Sequence, residues 1–229
     1  MDQDDDPAIR AVAALDEPSR RALYAFIRDA RRPITRDEAA EAIGISRKLA
    51  AFHLDKLVDA GLLRAHYARA GRVGRAPKAY QPSNLDISVN IPDRSHDILA
   101  TILVDAVLTE NSSERARDAA IRVAQAEGEA VGVSERARVR PGRLGSERAL
   151  TLAAGLLARH GFEPSRETPM CVRLRNCPFH PVASRAPDLV CAINHAYLSG
   201  MLTGLEASTV QAVLAPRPPD CCVELRPAT

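Results

Sequence analysis

Five cysteines carry the first chemical information in this chain: Cys171, Cys177, Cys191, Cys221 and Cys222. None lies in the first 170 residues, and all fall within the last 59. An odd number of thiols gathered in one segment points to metal ligation or thiol chemistry rather than a disulfide framework. Cys177 stands three residues before His180 in the run Asn-Cys-Pro-Phe-His. Cys191 and His195, four apart on a predicted helix, share a face. Cys221 and Cys222 open a predicted strand. Alternation there sends Cys221 toward the core with Val223 and Leu225, and Cys222 the other way with Glu224 and Arg226. By the same rule Cys171 and Cys177 share a strand face. Three separate elements can each bring a thiolate to one point, which suits a soft metal or an iron–sulfur cluster. Zinc is the alternative, with His180 or His195 completing a tetrahedron. No Cys-x-x-Cys occurs, which disfavours a zinc ribbon or a thioredoxin-type site. Plain burial of small apolar side chains is the remaining reading, and the preferred one for Cys171. His160, at a helix end before Gly161, reads as a cap favoured by the helix dipole. A Cys191–His195 nucleophile pair lacks a third orienting group, and no phosphate loop or carboxylate pair stands out, so the chain reads as a non-enzyme.

The second chemical signature is charge. Between Arg47 and Tyr80 eight Lys and Arg oppose two Asp, so the net +2 of the chain hides a basic patch. Arg47 and Lys48 open a predicted helix, the end that enters a DNA major groove, where Arg reads guanine and an apolar group meets a thymine methyl. Phe52, predicted outward, is placed for the apolar contact, beside Ala51 and Lys56. Ser46 offers a hydroxyl or amide to phosphate. Arg69, Arg72 and Arg75 follow in a basic loop suited to phosphates or a minor groove. His53 reads as a half-buried helix residue rather than a base reader.

The elements that must hold these groups follow from local signals. Helices are expected at 7–15, then from a cap at Asp16 with Pro18 in the first turn, and from the capping box of Thr35 and Glu38 to Ile43. Gly44 supplies a left-handed stop and Ser46 caps a fourth helix to residue 60. On it, Ala50, Leu54 and Leu57 form the core stripe. Strands at 62–67 and 77–81 enclose the basic loop. This order is that of a winged helix-turn-helix. After a linker at 82–84 come a strand at 86–91, a helix at 95–109, a helix at 112–130 starting from Ser112 or Ser113, a loop at 132–146 and a helix at 147–160. Strands at 170–175, 209–214 and 221–225 and a helix at 187–205 complete the chain. The fold class is α+β: residues 1–83 form the winged helix-turn-helix domain, with residues 1–6 an acidic, disordered lead-in, and residues 84–229 form an α+β sensor and dimerisation domain. The core must be aliphatic, since the chain has no Trp, 4 Tyr and 4 Phe. No run of about 18 apolar residues exists, so no membrane span is expected. The acidic start MDQDDD argues against a signal peptide and for a cytoplasmic location, where structural disulfides are rare.

The stretch Ile45-Ser-Arg-Lys-Leu-Ala-Ala-Phe-His-Leu-Asp-Lys-Leu-Val-Asp-Ala-Gly-Leu-Leu63 resembles the recognition-helix region of bacterial ArsR-like winged-helix regulators. Together with Asn176-Cys-Pro-Phe-His180, Cys191, Asn194-His195 and Cys221-Cys222, it is similar to the SufR-like branch of iron–sulfur-cluster-dependent repressors, over nearly the whole chain. The resemblance implies a homodimeric transcriptional repressor on an inverted-repeat operator in double-stranded DNA. It implies a 2Fe-2S or 4Fe-4S cluster held by three cysteines per subunit: Cys177, Cys191 and one of Cys221 and Cys222. The remaining position is non-cysteine, with His180 the candidate.

Overall fold

The computed structural model describes residues 6–67, 77–110 and 113–228. It divides into two compact units, one through Val89 and one from Asn90.

In the first unit, α1 spans Pro7–Ala14, capped by Asp6, whose carboxylate accepts the Ala8 N–H at 2.8 Å. Asp6 is therefore an ordered cap, whereas the lead-in expected over residues 1–5 lies outside the described residues. Helix α2 spans Pro18–Ala30 and is capped by Glu17, not by Asp16. The reason is Pro18: its ring forces the preceding residue into the extended region, so the cap must be residue 17. The longer Glu17 side chain reaches both Ser19 and Arg20 N–H groups, at 3.0 and 2.7 Å. Strand β1, Ile34–Thr35, leads into α3, Arg36–Ile43. The capping box of Thr35 and Glu38 is formed, and Gly44, at φ 70°, ends the helix. Ser46 caps α4, Arg47–Asp59, by accepting the Leu49 N–H at 3.2 Å. Strands β2, Leu63–Tyr67, and β3, Lys78–Pro82, pair antiparallel, with β3 in the centre of a β1-β3-β2 sheet. Leu23, Ile27, Ile34, Leu54, Leu57 and Tyr80 fill the core, so α4 turns its Ala50, Leu54 and Leu57 stripe inward as its spacing requires.

No strand forms over 86–91. Pro92 cannot donate to a ladder, and Ile87 packs back on the first core instead. The first unit thus runs past residue 83 to Val89.

The second unit is α+β. Helix α5 spans His96–Thr109 and α6 Ala116–Val139. Helix α6 starts after the serines at 112–113 and runs on into the segment expected as a loop, of which only residues 140–145 are non-helical. It ends where Arg140 turns left-handed, at φ 50°, before Pro141. Then follow α7 Ser146–Arg159, β4 Pro164–Thr168, β5 Cys171–Leu174, α8 Val182–Arg185, α9 Pro187–Gly204, β6 Val210–Leu214 and β7 Val223–Pro227. The strands make an antiparallel sheet in the order β4-β5-β7-β6. Strand β4 had no apolar alternation to announce it. Its centre is Ser165, Arg166 and Glu167, and it is held by pairing with β5.

Helices α6 and α9 are the axis of this unit. They approach through Gly128 and Gly132 on one and Gly200 and Gly204 on the other. A Cβ at Gly128 would lie 2.0 Å from the Tyr197 carbonyl oxygen, and one at Gly200 2.0 Å from that of Gln125. Only the missing side chains let the backbones come this close.

Candidate functional site

Four of the five cysteines are pairwise neighbours in the second unit. Cys177 follows β5 in a turn that the buried Asn176 fastens: its Oδ1 accepts the Glu163 N–H at 2.6 Å and its Nδ2 donates to the Gly161 carbonyl at 2.8 Å. Fully buried Phe179 anchors the far side of the turn, edge-on to Phe162. Cys191 sits in the second turn of α9. Cys221 and Cys222 lie just before β7, pinned by the Cys221 N–H to the Leu174 carbonyl at 2.9 Å and the Ala215 N–H to the Cys222 carbonyl at 2.8 Å. The ends of β5, β6 and β7 thereby deliver two thiols beside α9.

The cysteines form a string of neighbours: Cys177 beside Cys221, Cys221 beside Cys222, and Cys222 beside Cys191. The contact with Cys221 and burial push the Cys177 thiol far up, although the Phe179 and His180 backbone N–H groups face its sulfur. Cys221 is lowered by Cys177, but the Cys222 contact and burial outweigh this and leave it raised, at about 11. Burial raises Cys191. Cys177, Cys191 and Cys221 are thus held as thiols, and metal ligation would form metal–sulfur bonds and release their protons. Among the described residues no three His, Cys, Asp or Glu groups already converge as a finished metal site. The donor set itself fits a soft metal or cluster: four thiols, two of them with N–H groups aimed at the sulfur.

Cys221 and Cys222 do not split into core and solvent as alternation proposed. Both are buried, and so is Glu224, which pairs with Arg173 and Arg226 behind them. The pair precedes the strand, so strand parity does not govern it. Parity fails for Cys171 too, because β5 stops at Leu174; Cys171 is half-buried, with no recorded contact to the sulfur string. His180 is exposed, and its carbonyl accepts from His96 Nε2 at 2.8 Å. His195 Nε2 lies 3.1 Å from the Ala212 carbonyl oxygen on β6. Burial lowers the pKa of His160, with Nδ1 3.4 Å from the Tyr197 hydroxyl, so it is a neutral helix end rather than a charged cap. The residue the spacing did not flag is Asn194, buried on α9, whose Nδ2 lies 3.1 Å from Cys221 Sγ.

On α4 of the first unit, Arg47, Lys48, Phe52 and Lys56 are exposed and Ala51 is half-buried. Phe52 is 54% exposed, so its outward direction is real. Arg47 is not free: its Nε lies 3.3 Å from Asp37 Oδ1 on α3. The Ser46 hydroxyl is occupied by its own helix cap. His53 is buried rather than half-buried, with Nδ1 3.5 Å from Glu17 Oε2. Arg69, Arg72 and Arg75 lie outside the described residues. Sequence reasoning passed over a second cation, Lys78. Its Nζ reaches Asp55 Oδ1 at 2.6 Å and stands 5.2 Å from the Tyr80 ring centre, tying β3 to α4. The result is a basic, apolar-tipped helix braced by a sheet, a shape that enters a major groove.

Residues 15–66 match the family described as Helix-turn-helix domain, of the type found in ArsR-family regulators. Residues 15–66 are a helix-turn-helix domain. This match supports a DNA-binding transcriptional regulator rather than an enzyme. No curated protein and no solved structure matches the chain. No described helix is long and apolar enough to cross a membrane.

Proposed function

We propose that this regulator is a repressor of the SufR-like kind, working as a cytoplasmic homodimer on an inverted repeat and sensing through an iron–sulfur cluster in its second unit. What supports this is the string of neighbours Cys177, Cys221, Cys222 and Cys191 in a chain whose other unit carries a helix-turn-helix. Cys177, Cys191 and one of the adjacent pair hold the cluster, with His180 at the non-cysteine position. When bound, the cluster supplies a centre whose redox state and presence report iron and oxidants. The protein's own part is to present deprotonated sulfurs. Loading therefore competes with protons on raised thiols and weakens as pH falls. Gain or loss of the cluster alters the spacing of two recognition helices, which an operator demands at about 34–36 Å. A coupling of about 1–3 kcal/mol changes occupancy several-fold or more. The exposed α5 face, Val104, Val107 and Leu108, supports the dimer.

The test is iron, sulfide and zinc content, with an absorption spectrum, on protein purified without oxygen. Near-stoichiometric iron and sulfide, lost in Cys177→Ser and Cys191→Ser, is the expected result. Zinc alone would make the site structural and overturn the sensing role.

A second reading has its own observation. A cleft of about 620 Å³ runs along α9 beside Arg136, Arg143, Ser199, Thr203 and Gln211. If neither metal is present, this cleft favours a small-molecule regulator with free thiols.

A further inference from the structure

A buried carboxamide is costly unless its groups are hydrogen-bonded. Asn194 is 1% exposed in the middle of α9, and its Oδ1 has no partner. An aliphatic residue at this place would avoid that cost. What the carboxamide alone brings is the N–H donor 3.1 Å from Cys221 Sγ. A neutral thiol is a weak acceptor, whereas a thiolate accepts a charge-assisted bond about twice as strong as a neutral one. The donor therefore matters most when Cys221 is deprotonated, which is the state of a ligand. The Val223 backbone N–H faces the same sulfur. Cys222, beside Cys221 and Cys191, has no side-chain amide donor among the described residues. Asn194 also follows Cys191 by three residues, so one face of α9 carries both a thiol and the donor to another thiol.

We propose that Asn194 is the positioning residue of the centre: its N–H holds the Cys221 sulfur, and Cys221, not Cys222, is the thiolate that the adjacent pair supplies. This rests on the cluster reading above. The bond draws electron density from the sulfur, which favours the reduced cluster. Asn194→Leu and the smaller Asn194→Ala both remove the donor, one with added bulk and one with a void. Either is expected to keep most of the iron while shifting the redox equilibrium about tenfold toward the oxidised form, about 59 mV more negative for a one-electron couple. Cys221→Ser loses the cluster and Cys222→Ser keeps it. An unchanged midpoint potential in the Asn194 variants, or loss of the cluster in Cys222→Ser but not in Cys221→Ser, overturns the proposal. If the wild-type chain takes up no iron and sulfide, the cluster reading is what fails, and the same variants are titrated with Co²⁺. The thiolate-to-cobalt absorption band should then vanish in Cys221→Ser, persist in Cys222→Ser, and need about tenfold more Co²⁺ in Asn194→Leu. No such band in the wild type, or equal titrations across the variants, sinks the role of Asn194 as well.

Discussion

Glu38 and Glu135 serve the two units in the same way, each as a carboxylate gathered by donors. Glu38 accepts from the Thr35 backbone and hydroxyl, and Arg32 stands 2.8 Å away; together they lower its carboxyl to about 2. Glu135 is bridged by Arg138 at 2.7 Å and Arg159 at 2.6 Å, and is likewise lowered to about 2. Both folded values lie below the ordinary 4.5, so the unfolded chain binds these protons first. Their contribution is complete above pH 4.5 and is lost as pH falls toward 2. Glu38→Gln and Glu135→Gln should each lower stability to urea at pH 7 and do so much less at pH 2; equal losses at both pH values would refute the assignment. Thr35→Ala, which removes the cap itself, should cost about 1 kcal/mol. Arg47 belongs to this scale too. Arg47→Ala should relax base preference in an operator-selection assay. Asp37→Asn, which frees the guanidinium, should tighten DNA binding; full discrimination in Arg47→Ala removes that side chain from base readout. The thiols were legible in the sequence because cysteine is otherwise absent from it. Asn176 and Asn194 entered only as part of the resemblance, and their roles were not legible, because an asparagine has no periodicity or spacing of its own. One fastens a turn and the other meets a sulfur 27 residues away, and both roles exist only once the chain has folded.

At the scale of elements, the winged helix-turn-helix could be read nearly to the residue because its boundaries are set locally. The Thr35–Glu38 box, Gly44 and the Ser46 cap are each satisfied within four residues. The second unit was harder to read at Gly132, which opened the expected loop, whereas Gly128 already fell inside the expected helix. Gly128 and Gly132 sit inside α6, where propensity alone argues against them at about 1 kcal/mol each. They are kept there by the approach of α9, which no local rule announces. Arg136 adds a tether, its Nη1 donating to the Leu205 carbonyl at 2.9 Å. Gly132→Ala would set a Cβ 2.3 Å from the Met201 carbonyl oxygen, and Gly204→Ala one 2.1 Å from that of Glu129. Each should destabilise by about 1–3 kcal/mol or more and, on the cluster reading proposed above, should lower metal uptake along with the melting temperature, since α9 carries Cys191 and Asn194. Gly155→Ala on α7 meets nothing nearer than a flexible Arg159 end at 4.0 Å. It should be neutral or stabilising by a few tenths of a kcal/mol. Thermal unfolding of the three variants side by side checks this; a Gly132→Ala protein as stable as Gly155→Ala would mean that α6 and α9 do not approach so closely.

For the whole molecule, one apolar surface stands apart from the two cores. On α5, Leu103, Val104, Val107 and Leu108 fall on one face, and the last two are 71% and 76% exposed. Their opposite neighbours Leu99, Ile102 and Ala106 are buried in the second core, so the helix is apolar on both sides. A helix apolar all round is one that expects burial all round. In the dimer proposed above, a second copy of the chain supplies that burial symmetrically, together with the second recognition helix that an inverted repeat requires. Val107→Glu with Leu108→Lys adds no net charge and leaves the buried face untouched. It should therefore preserve helix content and thermal stability of the monomer while shifting the sedimenting species from dimer to monomer. Operator affinity should fall at least tenfold, because each half-site is then bound separately and the gain from linkage is lost. The salt dependence per half-site should stay the same, since the phosphate contacts of the first unit are unaltered. A variant that still sediments as a dimer, or one that dissociates without losing operator affinity, would place the symmetric contact elsewhere than α5.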